Sequence, residues 1–122
     1  MAIRVTVVLT LVCLAVISVN AFRRPGGLSR TKPATPEIQG LVNSVRGQII
    51  SKLPLGYDRE QYLPLTARSY KEQIVSGKNY FIKIQTGPMR YIHVRIYKPL
   101  IGFTSVHSVQ LQKSLLDPIE YF

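Results

Sequence analysis

Residues able to do covalent chemistry are scarce in this chain of 122 residues. The one cysteine, Cys13, lies in an apolar run near the start. The two histidines are His93 and His107, and the six acids are Glu37, Asp58, Glu60, Glu72, Asp117 and Glu120. None of them falls into H-E-x-x-H, phosphate-loop, G-x-S-x-G or metal-ligand spacing. His93 alternates with Tyr91 and Arg95, which reads as a strand-surface position rather than an acid–base group. His107 reads the same way. No enzyme, no cofactor and no metal is expected. The chain offers binding geometry instead. Gln73-Ile74-Val75-Ser76-Gly77 ends one alternating pattern, and 78–84 begins another, so the five residues read as a hairpin tip. Ile74 and Val75 are apolar where a tip is normally wet. Branched aliphatic side chains carried into solvent by a rigid hairpin suit entry into a partner's groove.

The elements that must position this tip follow from the periodicity. Residues 22–34 hold Pro25, Gly26, Gly27 and Pro33 without an apolar period, an extended and mobile arm. Thr35 then caps a helix, Pro36 suits its first position, and Glu37 complements its positive end. Ile38, Leu41, Val42, Val45 and Ile49 mark one buried stripe. Gly40 and Gly47 each weaken that helix by about 1 kcal/mol, so tertiary packing must hold it. Pro54 and Gly56 end it, and a loop runs to Pro64. The period then changes to two, with strands expected at 65–75, 78–86, 90–98 and 104–113. One face carries Tyr80, Ile82, Ile84, Ile92, Val94 and Ile96; the other carries Phe81, Lys83, Gln85, Tyr91, His93, Arg95 and Tyr97. This predicts a one-sided antiparallel meander with the helix across it, an α+β layer.

Gln-x-Val-x-Gly at a hairpin tip resembles the signature of the cystatins. Pro25-Gly26-Gly27-Leu28-Ser29, 32–39, Asn79-Tyr80-Phe81-Ile82-Lys83 and the terminal Tyr121-Phe122 are similar to the stefin branch of that family. The resemblance covers nearly everything after residue 24. It implies the cystatin fold, one long helix packed across an antiparallel sheet of four to five strands, with a short first strand before the helix. It also implies reversible, competitive inhibition of papain-like cysteine proteases of the cathepsin type, by a wedge that fills the active-site cleft. The wedge residues implied are Gly26 and Gly27 in the arm, Gln73, Ile74, Val75, Ser76 and Gly77 at the tip, and Leu100, Ile101 and Gly102 in a second loop. Ile101 stands where the family has a proline, and Pro99 places one two positions earlier. A monomer is expected, with a dimer swapped through the first hairpin as the alternative.

The start of the chain is read as separate. Arg4, the apolar run 5–19 and Val19-Asn20-Ala21 have the form of a secretory signal at 1–21, followed by the arm at 22–34 and the domain at 35–122. An uncleaved anchor is the alternative, because Arg23 and Arg24 follow the run. With Cys13 removed, the remaining domain of roughly 100 residues must hold by packing alone. Stefins usually lack an export signal, so a secreted location departs from the family and a cytoplasmic one stays open. The net charge of +10 favours acidic partners, but the basic residues are dispersed and no nucleic-acid motif accompanies them. They read as a solvated surface, with no membrane contact after cleavage. A secreted cationic antimicrobial or glycosaminoglycan-binding protein on the same fold is the rival reading. The intact tip and the paired glycines argue against it.

Overall fold

In a computed structural model the chain is described for residues 27–54 and 64–122. The signal reading, Gly26 and most of the 54–64 loop lie outside the described residues. The element order is β1 (Lys32–Pro33), α1 (Pro36–Ser44), α2 (Arg46–Ser51), β2 (Thr66–Val75), β3 (Gly77–Gly87), β4 (Arg90–Lys98) and β5 (Ser105–Lys113). The five strands form one antiparallel sheet in the order β1-β2-β3-β4-β5. The expected strand bounds are met within one or two residues.

The helix starts as its residues dictate. Thr35 Oγ1 accepts from the Ile38 N–H at 3.3 Å, Pro36 needs no intrahelical partner, and Glu37 sits in the first turn. The expected single long helix is interrupted, however. Val45 leaves helical geometry (φ −117°, ψ 18°), its N–H donating to Val42 O at 3.2 Å, and the Ile49 N–H then donates to Val45 O at 3.0 Å. A β-branched residue next to Ser44, whose hydroxyl donates to Leu41 O at 2.7 Å, relaxes the ladder there. The apolar stripe survives the break: Ile38, Val42, Val45, Ile49 and Leu53 are all buried. They pack on Tyr70, Ile82, Ile84, Ile92, Val94, Ile96 and Val106. Each fully buried aliphatic side chain contributes roughly 1.5–3 kcal/mol of transfer free energy.

Two glutamines fasten the helical layer to opposite sides of the sheet. Gln39 donates from Nε2 to Leu65 O at 2.8 Å and accepts at Oε1 from the Ala67 N–H at 2.8 Å, at the start of β2. Gln48 accepts at Oε1 from the Val106 N–H at 2.9 Å and donates from Nε2 to Thr104 O at 3.4 Å, at the start of β5. Both side chains satisfy backbone groups that the strands leave unpaired.

The sheet is not one-sided. Phe81, Lys83, Tyr91 and His93, expected on a solvent face, are buried. The chain after β5 folds back over them as a strap, 114–122. Lys83 Nζ donates to the carbonyls of Ser114 (3.1 Å), Leu115 (2.5 Å) and Asp117 (2.6 Å). Ile119 is buried, and Tyr121 (tilted) and Phe122 (edge-on) pack against Phe81 with ring centroids 5.8 and 5.5 Å apart. The Arg95 guanidinium lies over Phe81 and Tyr121, at 5.4 and 5.0 Å, and donates to Phe122 O at 2.7 Å. His93, read from the sequence as a strand-surface residue, is fully buried, and neither ring nitrogen finds a hydrogen-bond partner. Burial, then the Lys83 and Lys113 ammonium groups, push its imidazole down to about 4, against a smaller opposing pull from Asp117. Burial pulls the Lys83 ammonium down as well.

Candidate functional site

The hairpin between β2 and β3 is as tight as a hairpin can be. Ile74 pairs with Lys78 and Val75 with Gly77, so Ser76 alone makes the bend. Gly77 sits at φ 100°, where a side chain is strained. Space forbids one as well: a Cβ on Gly77 would lie 2.5 Å from Lys98 O, 2.8 Å from Pro99 Cα and 3.2 Å from Leu100 N. The tip is therefore pressed against the base of the β4–β5 loop, where Lys78 pairs with Lys98.

Side chains lock the tip further. Gln73 is buried, and its Oε1 accepts from Asn79 Nδ2 at 2.7 Å. Tyr97 donates its hydroxyl to Ser76 O. Glu72 Oε1 meets Lys32 Nζ at 3.2 Å and Glu72 Oε2 meets Lys78 Nζ at 3.4 Å. Burial pushes the Glu72 carboxyl up, but the two lysines outweigh it and hold it below its ordinary value. The Lys78 ammonium is held up by Tyr80 and then by Glu72, which offsets the like charge facing it on Lys98.

The arm runs to the same place. Leu28 bridges Gln73, the Ser29 N–H donates to Glu72 O at 2.8 Å, and the Glu72 N–H donates to Ser29 Oγ at 2.9 Å. Ala34 N–H donates to Arg68 O at 3.1 Å. From Leu28 onward, the segment expected to be mobile is thus hydrogen-bonded along β2, and Gly27 emerges exposed beside the tip. The short first strand implied by the resemblance is present as Lys32–Pro33.

Against this rigid backing stand side chains that water does not favour. Ile74 is 65% exposed, Val75 38%, Leu100 80%, Ile101 94% and Phe103 96%. Ile74, Val75, Leu100 and Pro99 line one shallow groove between tip and second loop, with Lys78 and Lys98 beside it. Gly102, at φ 114°, turns the second loop just before Phe103. The structure thus brings Gly27, Gln73 to Gly77 and Leu100 to Gly102 onto one edge.

A cystatin domain model matches residues 26–103, which span arm, helix, tip and second loop. The chain belongs to the cystatin family. It is 50% identical to cystatin-A of Bos taurus over 76 residues, 62% of this chain and 72% of the relative. It is 46% identical to cystatin-A3 of Dictyostelium discoideum over 89 residues, 73% and 88% of the two chains. The leukocyte cysteine proteinase inhibitor 1 of Sus scrofa is 39% identical over 75 residues, 62% and 68%. The helix-on-sheet architecture is the cystatin fold, and its relatives are of the stefin type.

Two properties of this cystatin edge were not read from the sequence. Phe103 is its most exposed apolar side chain, and it lies just outside the second-loop residues that the resemblance implies. An aromatic directly after a loop glycine was the available signal. Gln73 was read as a contact residue, yet its amide is turned inward onto Asn79. Among the described residues no three His, Cys, Asp or Glu side chains gather as a metal site.

Proposed function

We propose that this chain is a reversible, competitive inhibitor of papain-like cysteine proteases. Gly26 and Gly27, the tip from Gln73 to Gly77 and the loop from Leu100 to Gly102 together fill the protease cleft. The observation that carries the reading is the set of apolar side chains held in water on one edge by fixed supports. An apolar group exposed at such a fixed position gains free energy only when a partner covers it.

Val75, Ile74 and Leu100 supply the apolar contact. Ser76 and Gly77 are small, so the backbone approaches the cleft wall closely. Gln73 acts as a positioning residue: its bond to Asn79 fixes the strand ends from which the tip projects. Gly26 and Gly27 lay the arm along the cleft without a Cβ to obstruct it. Binding blocks the nucleophile sterically, with no peptide bond offered to it and no covalent step. Because the tip is already ordered, association immobilises little, which keeps its entropic cost low. The relative named a cysteine proteinase inhibitor supports the same reading. This makes the chain an inhibitor and not an enzyme.

Titration of papain with the protein, under reducing conditions, tests it. Stoichiometric loss of papain activity, relieved by excess substrate, is expected; papain left fully active by an equimolar amount sinks the proposal. Export is proposed separately, from Arg4, the run 5–19 and Val19-Asn20-Ala21. Sequencing of secreted material is expected to begin at Phe22, and a protein found only inside cells and starting at Met1 would overturn it.

A further inference from the structure

The pole of the sheet opposite the inhibitory edge carries a second apolar surface, unused by the function proposed above. Its parts come from two turns distant in sequence. The turn between β3 and β4 presents Met89, 91% exposed, and the turn after β5 presents Leu115 and Leu116, 55% and 90% exposed. Met89, Leu115 and Leu116 border one shallow depression floored by the buried Tyr91. Arg90 and Lys113 border the adjoining one, which shares Met89 and Tyr91. Among the described residues the nearby acid is Asp117, whose Oδ2 accepts from the Ser114 N–H at 2.7 Å and whose charge also feels Lys113, so the two cations exceed it by one.

We propose that this pole seats on an anionic lipid surface. Met89, Leu115 and Leu116 enter the boundary between headgroups and acyl chains, and Arg90 and Lys113 meet lipid phosphates. Three features favour a lipid surface over a polyanionic chain. The apolar side chains stand on the crests of turns, where a layer of headgroups receives them without matching their shape. A glycan or nucleic acid would satisfy the cations but leave three apolar side chains in water. The leucine turn is also fixed from below by the three bonds from Lys83, so seating it costs little ordering. The net charge of +10 adds long-range attraction to an anionic surface.

This departs from the reading of the charge as merely solvated. No run of sequence combines these residues; the fold does, by pairing Tyr91 with Lys113. The pole also faces the right way. β3 runs its 11 residues from the tip to the Gly87 turn. At about 3.3 Å per residue, a seated molecule holds its tip roughly 35 Å out in water. Seating and inhibition therefore do not compete for surface.

The chain has no tryptophan, so Met89→Trp in the full chain reports this place alone, whatever the apolar run at 5–19 does. Its emission is read against phosphatidylcholine vesicles with and without one-third phosphatidylserine. A blue shift and quenching by brominated acyl chains are expected on the anionic vesicles, at about tenfold lower lipid than on the neutral ones. Leu115→Ser with Leu116→Ser, in the same reporter, is expected to weaken partitioning about tenfold while papain inhibition stays unchanged. No shift on anionic vesicles overturns the proposal. Equal response to both vesicles, or an unaffected double variant, overturns it too. Emission that responds to heparin but to neither vesicle would assign the pole to a polyanion and also sink it.

Discussion

At the edge of tip and second loop this fold keeps apolar side chains in water; beneath the strap it keeps charged and polar ones out of it. The edge leaves Ile101 and Phe103 almost bare, while Lys83 and His93 are buried under residues 114–122. Both arrangements run against ordinary partitioning, but they are resolved differently. Under the strap every ammonium proton of Lys83 has a carbonyl to meet, and His93, without a partner for either ring nitrogen, is held neutral by its burial. At the edge the described residues leave Ile101 and Phe103 in water and Val75 partly so, and on the proposed function a partner covers them.

The comparison can be broken most severely at the tip. Val75→Asp is expected to weaken papain inhibition by about 100-fold or more, because an unpaired carboxylate would be buried against an apolar cleft. The unfolding midpoint should stay put, since the position is solvent-facing in the free protein. Unchanged inhibition would remove the tip from the interface.

Lys83→Ala is the counterpart beneath the strap. It strands three carbonyls and is expected to cost about 3 kcal/mol of stability, read by urea unfolding, with papain inhibition retained. A variant as stable as the parent would show that the strap does not depend on that ammonium group.

Acid sharpens the contrast between the two regions. His93 takes up a proton at about 4 in the fold, against 6.5 when free. As pH falls from 6.5 to 4, the unfolded chain binds that proton and the folded chain does not. This contribution to stability is therefore fully present above 6.5 and lost on the way down. The loss should be on the order of 1–3 kcal/mol. Burial sets the sign, Lys83 and Lys113 add to it, and Asp117 opposes it. His93→Leu should flatten the slope of unfolding midpoint against pH over that window; an unaltered slope would place the proton elsewhere.

Phe103→Ser should have the mildest effect, about a tenfold rise in the inhibition constant through faster dissociation. If dissociation is unchanged, the second loop contributes no more than Leu100 and Ile101.

The strands, the tip and the cap on the helix were legible because each rests on local chemistry: alternation, a Ser-Gly bend, Thr-Pro-Glu. The cover on the outer face was not. Residues 114–122 have no period, and Phe81, Lys83 and His93 alternate with core residues just as a wet face would. Only the strap's return, fastened by Lys83 and Arg95, makes that face an interior. The kink at Val45 was hidden for a different reason, since the stripe keeps its spacing through it. On the edge, the apolar tip residues announced themselves, whereas the inward turn of Gln73 depends on Asn79 across the hairpin.

The contact between Gly77 and the backbone from Lys98 to Leu100 has a consequence for anyone reshaping this protein. Tip and second loop are a single part in mechanical terms. A longer bend at residue 76, or any side chain at 77, would lever the neighbouring loop away from its base and change its reach. Libraries aimed at a new target should therefore diversify Ile74, Val75 and Leu100 to Phe103 together, holding Gly77 constant. Grafting either loop alone onto another scaffold would carry across its sequence without its shape.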